Sequence, residues 1–189
     1  MIDLNPACIR MIDLVAGVAD DQLTDPTPCA EFTVADLIDH VHVVAQGSTR
    51  LARKELGERA DSDTGDNPTA TDLGDDWRKR VGDHVRTLSE AWDDPTAWQG
   101  TTSADDLEMS NELWGKIAFA EMVVHGWDLA KATRQPFDLP EETLRACLNH
   151  IADFVPNSPV PGLWGTAVEV PADAPLIDQV VAITGRRPT

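Results

Sequence analysis

The chain has 189 residues, and its 33 acidic and 15 basic side chains give a formal net charge of −18. With 42% hydrophobic residues, this predicts one globular domain over residues 1–189. Nucleic acid and anionic membranes are excluded as partners, because both require clustered Lys and Arg. Three scattered cysteines, no apolar run of membrane-spanning length and no signal-peptide pattern predict a cytoplasmic protein.

Helical periodicity and clear helix-start signals dominate the chain. Asn5 followed by Pro6 predicts an N-cap and a proline in the first turn of a helix. Thr33 with Asp36 predicts a capping box at the start of the second helix. Further helices are expected from Trp77 to Trp92, from about Glu112 to Thr133, from Pro140 to Phe154 and from Leu176 to Gly185.

The segments between these helices differ in character. Residues 57–71 lack apolar periodicity and predict a loop, and residues 93–111 predict an extended connection or a short hairpin. Prolines concentrate in the tail between residues 155 and 176. The predicted fold is therefore mainly α, an up-and-down four-helix bundle whose fifth helix and proline-rich tail cover a flank or complete the bundle.

Two potential metal ligands lie one turn apart on the predicted fourth helix. The i, i+4 spacing of Glu121 and His125 lets both side chains point at one ion. The surrounding residues are largely apolar, and a charged Glu there is costly unless it is paired or coordinated. The alternatives are a surface pair, or two side chains that only hydrogen-bond to each other.

A third ligand is expected on the second helix. His40 lies at the margin of that helix's apolar stripe, where a lone histidine is more often a core-edge residue. Together, His40, Glu121 and His125 match a three-ligand site that leaves one coordination position open. Asp128 follows His125 by three residues and could accept its other ring proton; the alternative is an exposed carboxylate.

The other three histidines and Cys29 are weaker candidates for this site. His84 is the reserve ligand if one of the three proves wrong. The favoured alternative is a partly buried imidazole that is hydrogen-bonded to a neighbouring residue. His42 faces away from His40 on the helical wheel, and His150 has no partner at ligand spacing. Cys29 precedes the second helix and either contacts the site entrance or, as we favour, is a small packing residue.

Three segments resemble a known family. Residues 27–40 (TPCAEFTVADLIDH) resemble the Thr-Pro-Cys and Thr-Val-x-Asp-Leu-x-x-His signature of DinB-like bundle proteins. Residues 121–130 (EMVVHGWDLA) resemble the Glu-x-x-x-His-x-x-Asp block of the mycothiol-dependent maleylpyruvate isomerases, specifically of their metal-binding N-terminal domain. Residues 165–175 (GTAVEVPADAP) are similar to the closing segment of actinobacterial single-domain members.

The resemblance implies a DinB-like four-helix bundle that holds a divalent metal, usually zinc, through His40, Glu121 and His125. It also implies a small-molecule thiol, mycothiol, as cosubstrate. Maleylpyruvate isomerases carry a further C-terminal domain that helps form the active site, for which a chain ending at Thr189 leaves no room. We therefore expect related chemistry rather than that specific activity.

Three hypotheses follow from the sequence. The first is a metal-dependent, thiol-using transferase or isomerase that acts on a small electrophile. The second is a non-catalytic metal-binding or ligand-sensing bundle, dimeric through a helix face, which closure of the fourth coordination position by His84 or Cys29 would favour. The third is a bundle without metal, in which Glu121 and His125 only hydrogen-bond to each other.

Overall fold

The computed structural model describes residues 1–30, 32–55, 73–104, 107–158 and 164–188. The predicted loop at residues 57–71 lies outside these ranges. Short 3-10 turns occur at Asp20–Gln22, Pro95–Trp98 and Val155–Asn157. The other elements are α1 (Asn5–Gly17), α2 (Val34–Arg53), α3 (Trp77–Trp92), β1 (Thr101–Ala104), β2 (Leu107–Ser110), α4 (Asn111–Thr133), α5 (Glu141–Phe154) and α6 (Leu176–Ile183).

The first four helices form the bundle. Both α1 and α2 pack extensively against α3 and against α4, so α1 and α2 occupy opposite corners and their connection crosses one end. Helix α5 packs against α4 and α6, and covers a flank. The predicted helical DinB-like bundle with additional C-terminal helix is confirmed.

Local capping explains where the helices begin. The Thr33 backbone N–H donates to Asp36 Oδ2 at 2.9 Å, and the Asp36 N–H donates to Thr33 Oγ1 at 3.3 Å, which confirms the capping box of α2. The prediction that Asn5 caps α1 is wrong by one residue. Asn5 is already helical with Leu4 at the N-cap, and the Asp3 carboxylate accepts the Asn5 N–H at 2.9 Å.

The connection between α3 and α4 contains the short hairpin that was one of its two predicted forms. Strands β1 and β2 pair antiparallel, with Thr101 opposite Ser110. The indole N–H of Trp114 on α4 donates to the Thr102 carbonyl at 3.0 Å, which attaches the hairpin to the bundle. Among the described helices, none combines the length and the apolar character needed to cross a membrane.

Helix α4 is the central helix. Every residue from 118 to 130 is buried, because α4 packs against α1, α2, α5 and α6. A helix surrounded in this way is expected to be apolar on all sides. Glu121, His125 and Asp128 are the titratable exceptions, and each needs a polar partner to offset the cost of burial.

Candidate metal centre

The three predicted ligands converge between α2 and α4. The Nε2 atoms of His40 and His125 each lie 3.1 Å from the same atom, Oε2 of Glu121. One donor atom from each of the three residues lies within 4.8 Å of the other two. One helical turn aligns Glu121 with His125, and the packing of α2 on α4 adds His40.

These distances fit the coordination of a single ion. Zinc binds imidazole nitrogen at about 2.0–2.1 Å, so neighbouring ligands of a tetrahedral zinc lie about 3.3 Å apart. The two nitrogen–oxygen distances of 3.1 Å are close to that separation. Two imidazoles and one carboxylate also suit zinc chemically, and they leave a fourth position to another ligand.

The site is closed on the α4 side and accessible on the α2 side. The side chains of Glu121 and His125 are 8% and 6% exposed, whereas that of His40 is 32% exposed. The His40 ring packs edge-on against His125, with ring centres 4.8 Å apart, and lies tilted against Phe32, with centres 5.3 Å apart. His40 is therefore the ligand that borders solvent, and Phe32 packs against it.

Electrostatics favour a charged pair at the centre. Burial by itself disfavours the ionised forms of both Glu121 and His125. The charge of His125 and hydrogen bonds from both histidines outweigh this and hold the pKa of Glu121 below its ordinary value. The Glu121 charge, together with Asp128, likewise raises the pKa of His125 despite burial. The site thus has the negative carboxylate that a cation requires.

The other ring nitrogen of His125 is also engaged. Nδ1 of His125 lies 3.0 Å from Oδ2 of Asp128, at hydrogen-bond distance. When Nδ1 donates to that carboxylate, Nε2 remains oriented towards Glu121 and His40. The alternative of an exposed Asp128 is wrong, since its side chain is fully buried.

Arg186 also borders the site, although it is not among the residues predicted from the sequence. Its guanidinium donates to both carboxylate oxygens of Asp128, from Nε to Oδ1 at 3.2 Å and from Nη2 to Oδ2 at 2.8 Å. Arg186 follows α6 and is separated from Asp128 by 58 positions. Arg186 stands out in the structure because it is a buried arginine, only 7% exposed. No local sequence pattern predicts this burial.

Of the remaining candidates, Cys29 lies beside the site, whereas His84 and His42 lie away from it. The half-buried Cys29 has its sulfur within 4.8 Å of donor atoms of His125 and Asp128, so it lies beside the site, as the first of its two predicted alternatives has it. His84 has the favoured role of a partly buried imidazole with a polar partner and not that of the reserve ligand, because its Nδ1 lies 3.2 Å from Nδ1 of His42, on the side of α2 that packs on α3. His42 therefore faces away from the site, as predicted.

Comparison with known families places this geometry in context. The model of the family described as mycothiol maleylpyruvate isomerase N-terminal domain matches residues 4–130. The chain belongs to this family. All three candidate ligands lie inside the matched residues, whereas Arg186 lies outside them.

Two curated relatives are similar over nearly the whole chain. Both are uncharacterized proteins from Mycobacterium tuberculosis, one from each of two strains. Each is 30% identical over 178 residues, which cover 92% of this chain and 90% of the relative. No solved structure matches the chain.

Proposed function

We propose that this protein holds a divalent metal ion, zinc, with His40, Glu121 and His125, and uses it in a thiol-dependent transferase or isomerase reaction on a small electrophile. The convergence of two imidazole nitrogens on one carboxylate oxygen, with an accessible side at His40, carries the proposal. The family description names mycothiol, which supports mycothiol as the thiol. We assign the reaction to the cytoplasm, where small thiols stay reduced.

A divalent ion in this position would stabilise the thiolate form of a bound thiol at neutral pH. Glu121 supplies the negative charge that offsets the ion. With Nδ1 of His125 hydrogen-bonded to Asp128, Nε2 is the nitrogen that would release its proton and ligate the ion. Phe32 and His40 form the accessible wall along which the thiol and the electrophile would enter.

Both reactions begin with a new carbon–sulfur bond. In transfer, the thiolate displaces a leaving group, which departs with its bonding electron pair. In isomerisation, the thiolate adds to a carbon–carbon double bond conjugated to a carbonyl, and the π pair moves onto the carbonyl oxygen. Rotation about the resulting single bond and expulsion of the thiolate then restore the double bond in its other geometry.

The competing proposal, a non-catalytic metal-binding or sensing bundle, would be favoured by a protein side chain in the fourth coordination position. His84 lies against His42 and away from the three ligands. The Cys29 sulfur lies within 4.8 Å of donor atoms of His125 and Asp128. Among the described residues, no cluster of donor atoms contains Cys29 together with all three proposed ligands. This arrangement favours an open position and hence the catalytic proposal.

Metal content per chain tests the proposal. Protein purified without a metal-affinity tag should contain about one equivalent of a divalent ion, as expected for a single site. His125→Ala should lose the ion, whereas the matched control His84→Ala should retain it. A native protein that stays empty after zinc is supplied would refute the metal site.

A second measurement separates catalysis from binding alone. Loaded native protein is incubated with mycothiol and a panel of small electrophiles, and thiol consumption and double-bond geometry are followed. Turnover that disappears in His125→Ala supports the enzyme. Stoichiometric metal without turnover of any electrophile would favour the sensing bundle.

A further inference from the structure

The ion pair between Asp128 and Arg186 joins the candidate metal centre to the C-terminal segment. Asp128 Oδ2 accepts from Arg186 Nη2 at 2.8 Å and lies 3.0 Å from Nδ1 of His125. Asp128 Oδ1 accepts from Arg186 Nε at 3.2 Å. The chain of contacts therefore runs from Arg186 through one carboxylate to a proposed metal ligand.

The C-terminal segment holds Arg186 in place by its own backbone. The Arg186 N–H donates to the Val181 carbonyl at 3.0 Å, and Nη1 donates to the Thr184 carbonyl at 3.0 Å. Gly185 follows Thr184, the C-cap of α6, and has a φ of +89°, a conformation that L residues rarely adopt. A Cβ on Gly185 would lie 2.7 Å from the backbone of Gly165, so the two glycines permit the close approach.

The Asp128–Arg186 ion pair is buried, so loss of either charge is costly. Asp128 is 0% exposed and Arg186 is 7% exposed, so neither charge is shared with solvent. A buried carboxylate that loses its cation is strongly destabilised. The two-point contact of a guanidinium also fixes the plane of the carboxylate, which a point charge on Lys would not do.

We infer that Arg186 is a positioning residue for the proposed metal site: it orients Asp128, and Asp128 in turn holds His125 with Nδ1 protonated and Nε2 directed at the ion. This inference rests on the proposed function. It assigns to the segment around α6, outside the residues that match the family model, a part in shaping the site. A purely structural ion pair would instead affect folding alone.

Zinc affinity of the full-length chain, measured by competition with a chromophoric chelator, tests the inference. The variants are Arg186→Gln, Arg186→Lys and the matched control Arg187→Gln, whose parent side chain is exposed. Loss of a residue that supports a metal-bound histidine through hydrogen bonds typically lowers metal affinity by about 10–100-fold. We expect a loss of about tenfold for Arg186→Gln, a smaller loss for Arg186→Lys and none for Arg187→Gln.

A second readout is the hydrogen bond between His125 Nδ1 and Asp128 in metal-free protein, observed by nitrogen NMR. We expect Nδ1 to carry a proton in the native chain and its signal to shift in both Arg186 variants but not in Arg187→Gln. This measurement does not require metal, and its native-protein part does not require that any variant folds. A purely structural role for Arg186 would not move this signal in a folded variant.

The outcomes are distinct. Folded Arg186 variants whose zinc affinity and His125 signal match those of the native chain would overturn the inference and leave the proposed function intact. A native chain without zinc affinity would refute the proposed function, and the His125 signals would then decide the positioning role alone. A native His125 with its proton only on Nε2 overturns the inference whatever the variants do.

Discussion

Replacement of Glu121 by Gln tests the centre with little change in shape. The substitution removes the charge that lies 3.1 Å from two imidazole nitrogens, and an amide is a weaker zinc ligand than a carboxylate. His42→Gln is the matched control, because His42 lies on the same helix as His40 but contacts His84. Only Glu121→Gln should impair metal-linked stability.

The size of the effect follows from linkage. At zinc 100-fold above the dissociation constant, binding stabilises the native state by about 2.7 kcal/mol. For a chain of 189 residues, each kcal/mol corresponds to about 2–4 °C, so zinc should raise Tm by about 5–11 °C. Weakening of the site by about 100-fold would leave roughly 0.4 kcal/mol, a shift of about 1 °C.

Thermal unfolding followed by circular dichroism, with zinc and with a chelator, measures these shifts. The native chain and His42→Gln should show the full zinc-induced shift, even if His42→Gln has a lower starting Tm. Glu121→Gln should lose nearly all of it. An equal shift in Glu121→Gln and the native chain, or no shift in the native chain, would refute the reasoning.

Three further predictions follow from other parts of the structure. Gly185→Ala places a Cβ at φ of +89° against facing backbone and should destabilise the fold by about 1–3 kcal/mol; an unchanged melting curve would contradict this. Burial raises the pKa of Cys8 and Cys147 to about 12, so iodoacetamide near neutral pH should alkylate only the half-buried Cys29, and a mapped adduct at Cys147 would argue against it. Burial lowers the pKa of His150 to about 4, so the unfolded chain binds a proton below its ordinary pKa of 6.5 while the folded chain does not. Stability should therefore fall as pH falls from 6.5 to 4, by roughly 2–3 kcal/mol; His150→Leu should reduce that dependence in urea unfolding, and identical pH profiles would count against the assignment.

The sequence determined what depends on neighbouring residues. Thr33 and Asp36 satisfy each other's backbone groups wherever the helix finally packs, so the start of α2 was predictable. One helical turn places Glu121 and His125 side by side for the same reason. The helical bundle and its family were likewise predictable from periodicity and from the segments around His40 and His125.

Only the tertiary structure decided which distant surfaces meet. Periodicity shows that a helix has a buried face but not which helix covers it, so neither the placement of α1 and α2 at opposite corners nor the contact of His84 with His42 could be read from the chain. The partner of Asp128 is 58 positions away. Arg186 reaches it because Gly185 and Gly165 let two backbones approach closely, and such a contact depends on packing rather than on local sequence.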